Sequence, residues 1–256
     1  MSLAEELFDL SGKVAVVTGG SRGIGRSIAG GLAAAGADVV IASRKLDACE
    51  RAAEEIHEAT GRRTLAAAFH VGRWDECSTL VEQVYEEFGR CDVLVNNAGM
   101  SPLYESVAGI TEEYYDKVMA VNLKGPFRLS AAFGARMADA GGGSIINVST
   151  MGSLRPNKGD IVYASAKAGL NALTIGIADA FAPNVRSNCI LPGPVMTDIA
   201  KAWSNEQKVT LAGMTPLGRS GQPEDYVGTA LWLASEASAF VTGALIHLDG
   251  GLFLQT

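Results

Sequence analysis

The sequence predicts an α/β protein with a doubly wound parallel sheet of about seven strands and helices on both faces. Short runs of apolar, β-forming residues alternate with longer segments of helical periodicity along most of the 256 residues. These runs are apolar on both faces, as in parallel strands that helices cover on each side. Because neither a linker nor a repeat interrupts the pattern, we expect a single domain over residues 1–256.

The predicted elements follow in a regular order. Strands are expected at 14–18, 38–42, 64–71, 92–96, 144–149, 185–191 and 244–249. Helices are expected at 23–35, 47–60, 74–88, 161–181 and 224–235, with two more over 112–139. The stretch 196–216 breaks the alternation after a strand. Since ligands of open α/β sheets bind at the carboxyl ends of strands, we predict a mobile substrate lid near 196–216.

The amino-acid composition bears on which classes of molecule this protein binds. The net charge is −7, from 21 basic and 28 acidic residues, and no basic run offsets it. Neither nucleic acid nor an anionic membrane is therefore an expected partner, and no apolar stretch is expected to span a bilayer. The four cysteines and three histidines are scattered without metal-ligand spacing, so no metal site is predicted. The N-terminus has no basic region typical of a signal peptide, and we expect a reduced, cytoplasmic setting.

A glycine-rich loop at 18–25 directly follows the first predicted strand and opens the first predicted helix. Glycines allow a tight turn and close backbone approach, and a helix N-terminus favours an anionic phosphate. The spacing is G-x-x-x-G-x-G rather than the more usual G-x-G-x-x-G. The loop therefore indicates a dinucleotide site. Its candidate cofactor-binding residues are Gly19, Ser21, Arg22, Gly23, Ile24 and Gly25.

The end of the second strand bears on the choice of cofactor. An NAD site would place an acidic residue there for the ribose 2′-hydroxyl. This chain has Ser43 followed by Arg44, and Arg22 in the glycine-rich loop can approach the same ribose. Two guanidinium groups and a hydroxyl suit a 2′-phosphate. The sequence therefore predicts NADP(H) as the cofactor.

Tyr163 and Lys167 are the candidate catalytic pair. At positions i and i+4 of a predicted helix, their side chains point the same way. A free phenol titrates near pH 10, which is too high for efficient proton transfer at neutral pH. A neighbouring ammonium and the cationic ring of oxidised nicotinamide are expected to lower the pKa of Tyr163.

Seven motifs in order give the chain a resemblance to the short-chain dehydrogenases/reductases, which have a single-domain Rossmann fold. The motifs are the glycine-rich loop, Asn96-Asn97-Ala98-Gly99, Val121-Asn122-Leu123, Asn147-Val148-Ser149-Thr150, Tyr163-Ala164-Ser165-Ala166-Lys167, Pro192-Gly193-Pro194-Val195-Met196-Thr197, and Val241-Thr242-Gly243 through Asp249-Gly250-Gly251. They extend over nearly the whole chain.

The resemblance implies catalytic roles. Tyr163 would be the general acid in carbonyl reduction and the base in the reverse reaction. Lys167 would hold the nicotinamide ribose, and Asn122 would position a water in a proton relay. A family serine hydrogen-bonds the reacting oxygen, and its place falls on Thr150 here, with Ser149 one residue earlier. A threonine hydroxyl can make the same bond, so we assign the role to Thr150, with Ser149 as the alternative.

The resemblance also implies further cofactor contacts. Asn96, Ala98 and Gly99 would line the adenine-ribose side. Val195 and Thr197, in the same motif as Pro192 and Gly193, would meet the nicotinamide carboxamide. His70 stands where the family usually has Asp or Asn for the adenine amino group. It could make that contact through a ring nitrogen, but we favour an ordinary polar strand end.

The predicted function is an NADP(H)-dependent oxidoreductase that acts on a small-molecule carbonyl or secondary alcohol. The alternatives are an alcohol-oxidising dehydrogenase and a non-catalytic nucleotide-binding regulator of the same fold. The negative charge disfavours an acidic carrier protein as partner, and ketosugars, cyclic ketones, steroids and acyl-CoA thioesters remain open. Relatives pair the helices of 113–138 and 161–181, so we expect a homotetramer.

Overall fold

A computed structural model describes residues 2–196 and 205–253, and a seven-stranded parallel sheet forms its centre. The strands are β1 (Val14–Thr18), β2 (Asp38–Ser43), β3 (Thr64–Ala68), β4 (Val93–Asn96), β5 (Gly143–Val148), β6 (Val185–Pro192) and β7 (Leu245–Leu248). The helices are α1 (Leu3–Phe8), α2 (Gly23–Ala34), α3 (Leu46–Thr60), α4 (Trp74–Phe88), α5 (Glu112–Met119), α6 (Gly125–Asp139), α7 (Ile161–Ala180), α8 (Asn205–Met214) and α9 (Val227–Ala234).

The strand order is β3-β2-β1-β4-β5-β6-β7, and every neighbouring pair is parallel. The chain first builds outward from β1 through β2 to β3, then returns to β4 on the other side of β1. This reversal is the topological switch point, where connections diverge and leave a crevice at the carboxyl ends of β1 and β4. The predicted fold class is confirmed.

The hydrophobic core has a part on each face of the sheet. On one face Val17, Ile28 and Leu233 belong to a buried cluster that joins the sheet to α2, α3 and α9. On the other, Leu80 and Phe133 belong to a cluster that joins it to α4 and α6. Because β1 contributes Val17 to the first cluster and Val16 to the second, its side chains are buried on both sides, as its uniformly apolar sequence predicts.

Several element bounds differ from the prediction. The segment predicted as two helices over 112–139 is continuous, because a π-helical turn at Ala120–Lys124 joins α5 to α6. The strand predicted at 64–71 ends at Ala68, and the chain then turns where the Gly72 amide donates to His70 Nδ1 at 3.1 Å. Part of the segment predicted as a lid forms α8.

Helix α1 was not predicted from the sequence. This helix has six residues, none of them buried, so it lacks the apolar stripe that reveals a longer helix. A capping box holds its start: Ser2 Oγ accepts from the Glu5 amide, and Glu5 Oε2 accepts from the Ser2 amide.

The expectation that no apolar segment could span a bilayer is wrong as a statement about length. Within residues 2–196 and 205–253, α7 has 20 residues and a mean hydropathy of 1.3, which meets that test by length and composition. It also packs against β6 and places nine residues in the interior, and the core helix of a soluble protein meets the same test.

Candidate active site

The glycine-rich loop connects β1 to α2 at the switch point. Gly19 and Gly23 adopt φ values of +65° and +55°, which favour glycine over residues with a Cβ. The N-cap position of α2 is Arg22, and arginine has no acceptor for the helix amides. The amides of the first turn and the positive end of the helix dipole are therefore suited to an anionic ligand.

Thr18 and Asn97 tie this loop to the carboxyl end of β4. Thr18 Oγ1 donates to the Val95 carbonyl at 3.2 Å and accepts from the Asn97 and Ala98 amides at 3.0 and 3.1 Å. Asn97 Nδ2 donates to the Thr18 carbonyl at 2.9 Å. Neither residue was assigned a role of its own from the sequence, where the signal for both was their place inside the motifs.

The same contacts explain Gly25. A Cβ at this position would overlap Asn97 Nδ2 and lie 2.5 Å from the Gly19 carbonyl oxygen. Because Gly25 has no side chain, the first turn of α2 can pack directly against the backbone of the loop. This tight turn in front of a helix N-terminus fits the diphosphate of a dinucleotide.

Ser21 and Ser43 bring the glycine-rich loop to the end of β2. Their hydroxyl oxygens share a hydrogen bond at 3.0 Å, and Ser43 Oγ also lies 3.1 Å from Cys49 Sγ. Arg22 follows Ser21 and Arg44 follows Ser43. The backbone positions that carry the two guanidinium side chains are therefore close together. Both arginines are exposed.

Lys167 lies deep in the site. Its side chain is only 2% exposed, and Nζ donates to the Val148 carbonyl at the end of β5 at 2.7 Å. Burial disfavours the ammonium and lowers the pKa of Lys167 to about 8. Nζ lies 5.9 Å from the centre of the Tyr163 ring, so the predicted pair shares one face of α7.

Tyr163 is partly buried, and its pKa moves opposite to the predicted direction. The pKa of Tyr163 is raised to about 12, chiefly by burial and also by the nearby carboxylate of Asp160, while a hydrogen bond with Thr150 acts in the lowering direction. The prediction considered the ammonium of Lys167 and an oxidised nicotinamide. In the protein alone, desolvation of the phenolate is the largest cause, and it outweighs the lowering effect of the hydrogen bond with Thr150.

The two candidate hydroxyls point in different directions. Thr150 hydrogen-bonds Tyr163, and its Oγ1 also accepts from the Gly152 amide at 3.2 Å. Ser149 is 4% exposed, and its Oγ donates to the Lys167 carbonyl of α7 at 3.2 Å. Of the two, Thr150 is the hydroxyl beside the phenol.

Asn122 lies in the π-helical turn and is fully buried. Its Nδ2 donates to the Met100 carbonyl at 2.8 Å and to the Val118 carbonyl at 2.9 Å, while Oδ1 accepts from the Met100 amide at 3.2 Å. A Cβ on Gly99 would lie 3.0 Å from Asn122 Oδ1 and 3.6 Å from Lys167 Nζ. Gly99 thus keeps Asn122 and Lys167 close to the loop that follows β4.

Asn96 differs from the interpretation that placed it along the adenine-ribose side. It is 1% exposed, and Nδ2 donates to Ser130 Oγ and Asn147 Oδ1, both at 2.9 Å. Its side chain therefore joins β4 to β5 and α6 inside the core. Ala98, in contrast, lies in the loop beside the crevice, where its amide donates to Thr18.

The remaining candidates lie at the end of β6 and after β3. Pro192 is the last residue of β6, and a Cβ on Gly193 would lie 2.7 Å from Asp249 Cα, so that turn packs against the segment after β7. Val195 forms a parallel bridge with Gly221. Thr197 lies outside the described residues. His70 lies two residues beyond β3 rather than at the strand end, in the turn where its Nδ1 accepts from the Gly72 amide.

No group of three or more His, Cys, Asp or Glu residues within 2–196 and 205–253 is arranged to hold a metal ion. All four cysteines are buried free thiols.

A family model described as "Enoyl-(Acyl carrier protein) reductase" matches residues 19–253. Among curated proteins, a 3-oxoacyl-[acyl-carrier-protein] reductase from Chlamydia trachomatis is 37% identical over 95% of this chain and 98% of its own length. An NAD-dependent glycerol dehydrogenase from Listeria innocua is 33% identical over 97% and 96%.

Two solved structures show how far the likeness extends in three dimensions. A short-chain type dehydrogenase/reductase from Mycobacterium marinum is 33% identical, covers 98% of this chain and 99% of its own, and gives a TM-score of 0.92. L-sorbose reductase from Gluconobacter frateurii, solved with NADPH and L-sorbose, is 30% identical with coverages of 98% and 100% and a TM-score of 0.91.

Proposed function

The chain belongs to the short-chain dehydrogenase/reductase family of oxidoreductases, and we propose that it is an NADPH-dependent carbonyl reductase with Tyr163 as its general acid. The observation that carries this proposal is the convergence of Tyr163, Thr150 and Lys167 at the carboxyl end of β5. A pKa of about 12 keeps the phenol of Tyr163 protonated at neutral pH but makes it a weak acid, so we expect proton donation to depend on stabilisation of the phenolate by Lys167 and the bound cofactor.

Each residue of this group has a separate task in reduction. The hydroxyl of Thr150 holds the carbonyl oxygen beside Tyr163, which donates its phenolic proton to that oxygen. The ammonium of Lys167 stabilises the phenolate that this transfer leaves behind. Asn122 anchors the Met100 segment next to Lys167, on the path by which the proton is replaced. A nicotinamide cofactor, when bound, would supply the hydride to the carbonyl carbon.

Replacing Tyr163 with Phe is the direct test of this function. The ring remains while the proton donor is lost, so NADPH consumption should fall by about 10²–10⁴-fold. The assay uses purified protein with 3-oxoacyl thioesters, ketosugars and cyclic ketones. Equal turnover by wild type and Tyr163→Phe would contradict the proposed role, and a protein that binds NADPH without turnover of any carbonyl or alcohol would be the non-catalytic alternative.

The preference for NADP(H) is part of the proposal. The hydrogen bond between Ser21 and Ser43 brings together the chain segments that carry Arg22 and Arg44 at the end of β2, and two guanidinium groups there would suit a 2′-phosphate. Relatives include an NAD-dependent enzyme and one solved with NADPH, so family membership alone does not give the cofactor preference. The preference has to be tested on residues of this chain.

Arg44→Ser should weaken NADPH binding by about tenfold and leave NADH binding unchanged, because one charge-assisted hydrogen bond is removed. Arg51→Ser is the matched control, since Arg51 is an exposed arginine that pairs with Asp47 within α3. Fluorescence titration with both cofactors measures the dissociation constants. Equal affinity of the wild type for NADH and NADPH would refute the preference.

We further propose a cytoplasmic homotetramer that acts on a small-molecule carbonyl, with a lid near 196–216 over the site. Residues 197–204 of that segment lie outside the described residues. Helix α8 follows them, and Val195 is bridged to Gly221 at the base of the segment. The residues that flank this segment, Val195 and Gly221, therefore lie next to each other beside β6, as expected for a lid that moves on a hinge. Proteolysis of this segment should slow when cofactor and substrate are present.

A further inference from the structure

Tyr104 connects the two loops that border Tyr163, at a position that the mechanism does not use. It lies in the segment between β4 and α5, which begins at the cofactor side of the site. Its hydroxyl donates to the Lys158 carbonyl at 2.7 Å and accepts from the Ile161 amide at 3.1 Å. Lys158 and Ile161 belong to the connection between β5 and α7. One phenol thus joins chain segments more than fifty residues apart.

The Ile161 amide is the first of helix α7, which carries Tyr163 two residues later. The first amides of a helix have no partner within it and need a cap. Asp160 occupies the N-cap position but makes no side-chain hydrogen bond to the helix. Its carboxylate accepts instead from the Asn157 amide at 2.8 Å and from Asn157 Nδ2 at 2.9 Å. The hydroxyl of Tyr104 therefore takes over part of the capping.

Tyr104 can serve as a fixed anchor because its own segment is held. The Met100 amide and carbonyl are bound by Asn122. Two residues on, the Pro102 carbonyl accepts from Tyr114 Oη at 2.5 Å. The rings of Tyr104 and Tyr114 then meet edge to face, with centroids 5.7 Å apart and an interplanar angle of 84°. These contacts hold Tyr104 in place relative to the π-helical turn and α5. Through its hydroxyl, Tyr104 in turn holds the start of α7 in place.

We propose that Tyr104 is a positioning residue, whose hydroxyl caps α7 from a neighbouring loop and thereby fixes Tyr163 relative to Thr150 and Lys167. The catalytic part of this inference rests on the proposed reductase function. A displacement of about 1 Å at a reacting group can lower turnover by as much as 10²-fold, so such an anchor affects the rate without touching the substrate.

Tyr104→Phe tests the proposal because it keeps the ring contact with Tyr114 and removes only the hydroxyl. Amide hydrogen exchange in peptides covering 155–163, measured by mass spectrometry, should become about fivefold faster. In the same variant kcat should fall about tenfold, while the dissociation constant for NADPH stays within twofold. Tyr115→Phe, at an exposed tyrosine of α5, is the matched control and should change neither quantity.

The outcomes separate this inference from the proposed function. Unchanged exchange in Tyr104→Phe overturns the cap, whether or not the enzyme turns over a carbonyl. Faster exchange with wild-type kcat overturns the positioning role, because the hydroxyl would then be structural only. If Tyr163→Phe is as active as wild type, the proposed chemistry fails, while the exchange result still decides whether Tyr104 caps α7.

Discussion

At the scale of single residues, a polar side chain can hydrogen-bond a ligand only through donor hydrogens and acceptor lone pairs that are not already used within the protein. Ser149 and Thr150 are adjacent and both carry hydroxyls, yet one donates into the backbone of α7 and the other meets Tyr163. The ammonium of Lys167 is held by the Val148 carbonyl beneath the phenol. Sequence motifs place these residues near one another, and the hydrogen bonds of the folded chain show which groups each side chain contacts.

Thr150→Val should reduce kcat by about 10²-fold, because it preserves the branched shape and removes the hydroxyl that we propose holds the substrate oxygen. Ser149→Ala is the matched variant and should retain most of the turnover. Steady-state kinetics with the best carbonyl substrate measures both. The opposite result, with full activity in Thr150→Val and none in Ser149→Ala, would transfer the role to Ser149.

Lys167 should also leave a signature in the pH dependence of stability. Its pKa is about 8 in the folded protein and higher when unfolded, so the unfolded chain binds more protons between these values. The free energy of unfolding therefore rises as the pH increases from about 8 toward the unfolded pKa of about 10.4. Urea unfolding at pH 8 and pH 10 should show wild type gaining stability relative to Lys167→Met. If the difference in the free energy of unfolding between the two proteins is the same at both pH values, the lowered pKa of Lys167 is contradicted.

At the scale of elements, packing rather than local preference decides what the helices tolerate. Gly30 and Gly31 are neighbours in α2, and both are poor helix formers. A Cβ on Gly30 would meet only the flexible tip of Arg26, at 3.2 Å from Nη1. A Cβ on Gly31 would overlap Cγ1 of Val227, a stiff side chain at the start of α9.

These neighbours give a matched pair of predictions. Gly30→Ala should stabilise the protein by up to about 1 kcal/mol through helix propensity. Gly31→Ala gains the same propensity but forces α2 and α9 apart, so it should be destabilising by about 1 kcal/mol overall. Denaturant unfolding of the two variants measures the difference. Equal effects would show that α9 yields to the added methyl group.

At the scale of the whole molecule, apolar surface outside the crevice bears on assembly. Met119, Leu123, Phe127 and Leu173 line an open apolar groove with Lys124, between the π-helical turn and α7. Phe127 is 43% exposed and Ile175, further along α7, is 52% exposed. These positions belong to the two helical regions that the resemblance pairs in oligomers, and burial between copies would remove them from water.

Phe127→Glu should therefore dissociate the proposed homotetramer, because a carboxylate cannot be buried in an apolar interface without a partner. Leu3→Glu, on the exposed face of α1, is the control and should leave the assembly unchanged. Sedimentation velocity measures the mass of each protein. A wild-type monomer, near 26.6 kDa, would contradict the tetramer itself.

The sequence by itself determined the fold class, the order of the strands and helices along the chain and most of their bounds. Those features follow from the period of apolar residues and from local turn chemistry, which neighbouring residues encode. It also determined that Tyr163 and Lys167 share a face, because spacing on a helix fixes direction. The short helix α1 could not be predicted, since its six residues, none of them buried, carry no such period.

Only the tertiary structure decided how the site residues are used. Asn96 turns into the core, Asn97 closes the glycine-rich loop, and Tyr104 reaches the start of α7. Burial likewise raises the pKa of Tyr163, against the expectation from its charged neighbour. The physical reason is common to all four: hydrogen bonds and desolvation depend on groups that are distant along the chain, and only packing of the sheet and helices brings them together.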